Sequence, residues 1–325
     1  MELIAKEYRG EIEDLCHYGY IVVSKADGTT DCKLGDPGYT AYSRSSAKPI
    51  QAIPVVESGA MEKYGITEEE LALICASHLG EDCHIEAVKR ILNKAGLDEN
   101  DLKCGSQGLK TPLHNNCSGK HAGMLVTAKI RGESLSDYYL PNHQVQERIT
   151  KTVAEVCGCD ADQTRLGIAI DACGVPVHAM PIYKFAQGYA KMSKPELFGT
   201  EREKAVRRIT AAMTEHPEMV GGTGDFTTDL MRAFGGGLFC KSGAGGFFAI
   251  GLKGRGIGIA MKIKDGSSGI IPIAALKTLV QIGAVMREEI EAFPEFRFEK
   301  DNLVQDIKNY RGETVGRRES VFTLR

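Results

Sequence analysis

Hydrophobic positions fall in short β-branched or alternating runs at both ends of the chain, and at three-to-four spacing through its middle. Gly19-Tyr20-Ile21-Val22-Val23-Ser24 is aromatic and β-branched, and Asp27-Gly28 follows as a turn signal, so the first forty residues are predicted to form short strands. Ala41 to Arg232 is predicted to be mostly helical. Glu68 to Cys75 puts acidic residues ahead of apolar ones, as a helix N-terminus prefers. Ile85 to Gly96 carries Val88, Ile91, Leu92 and Ala95 at helical spacing and stops at glycine, and Gln144 to Cys157 and Glu201 to Met213 repeat the pattern. From Gly235 onward glycine is dense. Gly246 to Leu252 and Gly256 to Lys262 are predicted to be adjacent strands, Ile271 to Phe293 one long helix, and Asn309 to Phe322 strand again. Strands at both termini with helices between them predict an α/β protein. Its sheet region would be residues 1–40 plus 235–325, and a mostly helical region, 41–234, would be inserted. There is no internal repeat and no low-complexity linker.

Composition narrows the function classes. A chain of 325 residues can bury a full core without staples. A formal net charge of -3 gives no electrostatic case for nucleic acid or an anionic membrane. Apolar runs such as Gly246 to Leu252 are too short to span a bilayer. Met1 to Glu7 lacks a basic stretch followed by an apolar one, so a cytoplasmic protein is expected, and the ten irregularly spaced cysteines are expected to be reduced thiols. Cys157-Gly158-Cys159 has the wrong spacing for a redox or zinc-ribbon motif.

The densest chemistry lies in His114-Asn115-Asn116-Cys117-Ser118-Gly119-Lys120-His121, just before the apolar run Ala122 to Val126. Residues three and four apart share a helical face, so thiol, amine and imidazole can converge at a helix start. There a cysteine has a lowered pKa and is ready for attack or metal binding. Ser45 and Lys48 form a Ser-x-x-Lys pair, in which an amine whose charge is disfavoured can take the serine's proton. Pro49 puts the helix start at Ser46 or Ala47, with Ser45 just outside the first turn. Ser77 offers a second hydroxyl beside His78. A short apolar strand, Ile168 to Ile170, leads to Asp171 and Cys173 before Gly174-Val175-Pro176 turns the chain. Asp171 could orient His121 or a lysine, and Cys173 could join Cys117 on one metal ion. The glycine-rich stretch around Lys241-Ser242-Gly243 lacks the spacing of a phosphate loop.

These pieces together resemble the bacterial L-asparaginase II family of the thermolabile, rhizobial type, over nearly the whole chain. The resemblance runs through Arg9-Gly10, Arg44 to Pro49, Ala76-Ser77-His78, Asn115 to His121, Asp171 to Pro176, Ala260-Met261-Lys262 and Asp265-Gly266. It implies a serine β-lactamase-like fold and hydrolysis of L-asparagine to L-aspartate and ammonia. It also implies two Ser-Lys pairs, Ser45 with Lys48 and Ser77 with Lys262. A zinc ion would be held by Cys117, Lys120 and Cys173, near His121 and Asp171. His121, Asp171 and Arg44 would bind the substrate, and the protein would be a homodimer. One departure stands out: Gly245 occupies a position where the resemblance leads one to expect a glutamate. Two other readings compete. One is a hydrolase with Cys117 as nucleophile and His121 as base. The other is a metal- or redox-sensing module without catalysis. The shared fold also admits β-lactamase or peptidase activity, which fold alone does not decide.

Overall fold

The computed structural model describes residues 1–159 and 166–325. Twelve strands occur among them: β1 (Glu2–Arg9), β2 (Ile12–Lys25), β3 (Thr30–Leu34), β4 (Thr40–Tyr42), β5 (Gly167–Ile170), β6 (Pro176–Pro181), β7 (Leu238–Gly243), β8 (Phe247–Leu252), β9 (Ile257–Ile263), β10 (Phe296–Glu299), β11 (Asn302–Lys308) and β12 (Thr314–Ser320). Nine of these form one antiparallel sheet in the order β10-β11-β12-β1-β2-β9-β8-β7, with β3 also on β2. Both chain termini therefore contribute to one sheet, as the hydrophobic pattern predicts. The fourteen-residue β2 joins the halves, pairing with β1 at one end and with β9 and β3 at the other.

The central strands are apolar on both sides because helices cover both faces. Successive side chains of a strand point to opposite faces. Phe247 packs edge-on against Phe185 of the helix Ile182–Met192, with centroids 5.3 Å apart. Its neighbour Phe248 meets Phe226 of the helix Phe226–Ala233 at 5.7 Å. All six residues of β8 are consequently buried. The first of these helices lies directly on β9 at Gly258, where any Cβ would collide with the Ala186 carbonyl. A helix from the middle of the chain thus packs against the terminal sheet, and one continuous core runs through both predicted regions.

The middle block is largely helical, but it also holds a small sheet, β4-β6-β5. This sheet anchors the start of the Ser45 turn through β4 and carries Asp171 in the β5–β6 connection. At the other end, the expected helix over Ile271 to Phe293 is shorter: it runs Ile271–Gln281 and a 3₁₀ turn follows at Arg287–Ala292. Gly283 ends it in the left-handed region at φ 62°. Its N–H bonds the Val280 carbonyl while Ala284 N–H bonds Leu279, the paired closing bonds of a Schellman motif. Among the described residues no helix is long and apolar enough to cross a membrane.

Replacing Gly258 with alanine should lower stability by about 1–3 kcal/mol through overpacking. The urea midpoint measures this, and an unchanged midpoint would show that helix Ile182–Met192 is not pressed on β9 as described.

Candidate active site

Residues Arg44–Ala47 form a 3₁₀ turn that leads into the helix at Lys48–Gln51. Ser45 therefore lies inside the turn, not outside it as Pro49 suggests, because the first helical turn is tighter than an α-turn. The Lys48 N–H bonds the Ser45 carbonyl, and side chains three apart on a 3₁₀ turn eclipse one another, so both project from one face. The turn is held from three sides. Ser43 donates to the His178 carbonyl of β6 at 3.1 Å, Ser46 Oγ to the Lys241 carbonyl of β7 at 2.8 Å, and Tyr189 Oη to the Ser46 carbonyl at 2.6 Å. Arg44 sits at φ 49°, where a non-glycine residue costs on the order of 1–3 kcal/mol. Its guanidinium meets Asp171 at 2.7 Å, an ion pair that leaves the Arg44 Nε buried without a partner.

Lys48 is 1 % exposed. Its amine donates to the Ala76 carbonyl at 2.5 Å, to Ser77 Oγ at 3.1 Å and to the Asn116 carbonyl at 3.1 Å. Burial, reinforced by Lys120 and opposed by Cys117, pushes its pKa down. The lysine expected for Ser45 is thus hydrogen-bonded to Ser77, with Ser45 as its neighbour on the turn.

The expected couple of Ser77 and Lys262 does not form. Lys262 projects from β9 and donates to the carbonyls of Gly245 at 2.6 Å and Ile263 at 2.5 Å. Gly245, at φ 75° in the β7–β8 turn, accepts this bond with its backbone oxygen at the position where a glutamate was expected. A different lysine stands by. Lys241 on β7 is fully buried, its amine bonds Ser242 (carbonyl at 2.9 Å, hydroxyl at 3.2 Å) and no other group among the described residues, and it is held down to about 7 by burial and by the Lys48 charge. In the sequence Lys241 stands out only within a glycine-rich stretch that lacks phosphate-loop spacing and has Gly245 where a glutamate is expected. The available signal was a lysine inside the apolar strand Leu238-Phe239-Cys240, since a buried amine is costly unless it has a use.

Cys117 caps the helix Ser118–Ile130, its N–H held by Asn115 Oδ1 at 2.9 Å. Gly119 lets that helix press on the helix Glu68–Ile74, where a Cβ would collide with the Leu73 carbonyl. Lys120 and His121 then face inward, 6 % and 0 % exposed. Cys173 lies in the β5–β6 turn, closed by Asp171 N–H to Val175 and Gly174 N–H to Asp171. There its Sγ is 3.2 Å from Lys120 Nζ. The bond from Cys173, helped by the Lys48 and Lys120 amines against burial, holds Cys117 well below its ordinary value, and Cys173 is correspondingly raised. Burial lowers the Lys120 pKa, but the two sulfurs outweigh it and leave the amine raised.

Two thiols and an amine from separate segments converge here, with the buried His121 Nε2 unpaired. That donor chemistry fits a borderline-soft ion such as zinc. Glu81, Cys83 and His84 also cluster, but His84 accepts from Glu81 N–H and bonds the Glu218 carbonyl, and Glu81 holds Thr223, so their ligand atoms are engaged. The structure gives the Cys117–His121 couple of the rival reading no bond among the described residues: Cys117 Sγ lies 3.2 Å from Asn116 Oδ1 and His121 Nδ1 bonds Tyr138 at 2.7 Å.

A half-buried serine bonded to a buried lysine thus lies near a thiol-amine cluster. The chain belongs to the L-asparaginase II family, whose profile matches residues 5–319. No curated protein matches the sequence. Among solved structures the chain is similar to Mglu in its native form (13% identity, TM-score 0.45), covering 82% of this chain and 64% of that one. It is also similar to a β-lactamase from Mycobacterium bovis (13% identity, 81% and 94% covered, TM-score 0.46). A third is an octameric penicillin-binding protein homologue from Pyrococcus abyssi (13% identity, 90% and 84% covered, TM-score 0.44). The chain thus spans less than two thirds of the Mglu chain.

Lys241 makes stability depend on pH. Its folded pKa of about 7 lies below the unfolded value of 10.5, so between these values the unfolded chain binds the extra proton. Stability then rises with pH across that window, by at most about 1.4 kcal/mol per pH unit. Lys241→Met should flatten this rise in urea titrations at pH 7.5 and 9.5. An equal rise in the variant would remove Lys241 as its source.

Proposed function

We propose that the protein hydrolyses L-asparagine to L-aspartate and ammonia by Ser-Lys catalysis. The reading rests on one observation above the others: a buried amine whose charge is disfavoured, Lys48, bonded to Ser77 and one 3₁₀ turn from Ser45. Ser45 Oγ attacks the side-chain amide carbon while neutral Lys48 takes its proton. Collapse of the tetrahedral adduct breaks the C–N bond, and the departing nitrogen receives a proton through Ser77, which Lys48 holds. Water, deprotonated by the same amine, then cleaves the acyl-enzyme to aspartate and regenerates Ser45. Lys241 replaces Lys262 as the second lysine of this reading, because its charge and that of Lys48 oppose each other and favour one neutral base at neutral pH.

The substrate's α-amine and α-carboxylate match the Arg44–Asp171 ion pair in charge, and His121 is the third substrate-binding residue of this reading. Cys117, Lys120 and Cys173 would hold zinc, which when bound supplies a positive charge and an open ligand position. In the structure Lys120 Nζ already bonds Cys173 Sγ at 3.2 Å, which ties the β5–β6 turn to the helix Ser118–Ile130. The reading includes the small-molecule substrate and the homodimer, which sedimentation would check.

Ammonia release from asparagine in a coupled assay tests the function directly. Ser45→Ala and Lys48→Met are each expected to lose at least about 10²-fold in kcat, and activity should rise with pH through neutrality as the lysines lose their protons. Full turnover by Ser45→Ala would remove the nucleophile. Zinc content by elemental analysis should be lost in the Cys117→Ser, Cys173→Ser double variant, and purified wild-type protein devoid of bound zinc yet fully active would remove the metal.

A further inference from the structure

Tyr138 lies between the helices Ser118–Ile130 and Gln144–Cys157 and is 0 % exposed. Its backbone carbonyl takes a bond from Gln146 Nε2 at 2.9 Å, and its ring stands edge-on to His121 with centroids 5.5 Å apart. The phenol oxygen has two polar neighbours. The Lys103 backbone N–H donates to it at 2.9 Å, and His121 Nδ1 lies 2.7 Å away.

These contacts decide which nitrogen of His121 carries the hydrogen. A phenol brings one proton and its lone pairs. Lys103 N–H occupies a lone pair and cannot receive the proton. Among the described residues no other acceptor bonds the hydroxyl, so its proton goes to Nδ1. If Nδ1 donated instead, the phenol would receive two donors and leave its own buried proton unpaired, a cost that buried groups avoid. An imidazole whose Nδ1 accepts carries its only hydrogen on Nε2. That Nε2 is buried and has no partner among the described residues. Histidines that ligate metals show the opposite arrangement: one ring nitrogen donates outward and the other offers its lone pair to the ion.

We propose that Tyr138 is a positioning residue that fixes His121 as an Nε2–H donor, offering that hydrogen to the bound amino-acid substrate and withholding His121 from the metal's ligands. The identity of the recipient rests on the asparagine reading, whereas the tautomer does not.

Two-bond proton–nitrogen correlation spectra of metal-free protein with ¹⁵N-labelled histidine rings test it, with the His121 signals assigned by their loss in His121→Asn. The wild-type ring should carry its hydrogen on Nε2, and Tyr138→Phe should shift it towards the other tautomer. A wild-type ring protonated on Nδ1, or a tautomer unchanged in Tyr138→Phe, would overturn the proposal, and the wild-type spectrum decides even if the variant misfolds. Cobalt(II) serves as the metal probe: its visible bands should not change with His121→Asn, and a changed ligand field would overturn the proposal. In asparagine turnover, Tyr138→Phe should raise KM about 10-fold with kcat little changed. A protein that releases no ammonia from asparagine would refute the function while leaving the spectra to settle the tautomer.

Discussion

Three lysine amines, those of Lys48, Lys120 and Lys241, are buried in one cluster, and the rest of the site is arranged around that constraint. An isolated ammonium taken out of water is very costly, so each must shed its charge or find a partner. Lys120 finds the sulfurs and stays charged. Lys241 has only uncharged partners and moves towards neutrality, and Lys48 is pushed the same way. Burial has thus divided three identical side chains into one cation anchored by sulfur and two amines pushed towards neutrality. The Lys48 and Lys120 charges in turn help to lower the Cys117 thiol against its burial.

Holding such a cluster requires backbones to approach closely at defined places. Gly119 lets the Cys117 helix sit against the Leu73 carbonyl, and Gly243 leaves room for the Ser43 carbonyl and the Ser46 hydroxyl against β7. The small sheet brings the Asp171–Cys173 turn to Lys120 and Arg44 from the other side. Arg44 holds a left-handed backbone conformation in the same place, strain that the surrounding hydrogen bonds and the Asp171 pair offset. Two cavities of about 540 and 550 Å³ lie elsewhere, beside Lys277 and beside Arg202. The candidate site is a tight convergence of polar groups that these cavities do not include.

Most of this was legible in the chain itself. The β-branched runs at Tyr20–Ser24 and Phe247–Leu252 and the periodicity of Ile85–Ala95 predict their own elements, because burial of a strand or of one helix face must be written locally. The grouping of Cys117, Lys120 and His121 follows from helical spacing within five residues. Cys173 was legible only as a candidate partner for Cys117, because its arrival beside Lys120 depends on a turn between two short strands that neither segment fixes alone. The Schellman ending at Gly283 was signalled by its glycine but lost in a long apolar stretch.

The assignment of partners among chemically identical groups was a different matter. Sequence by itself determined which elements form, which face of each is apolar, and which few residues carry unusual chemistry, since these depend on neighbours close along the chain. Only the tertiary structure decided that Lys48 bonds Ser77, that Lys262 bonds the Gly245 carbonyl, that Lys241 is the lysine sealed inside, and that Arg44 is paired with Asp171. A lysine's reach and the register of β7, β8 and β9 set those outcomes, and register is fixed by packing across the whole sheet.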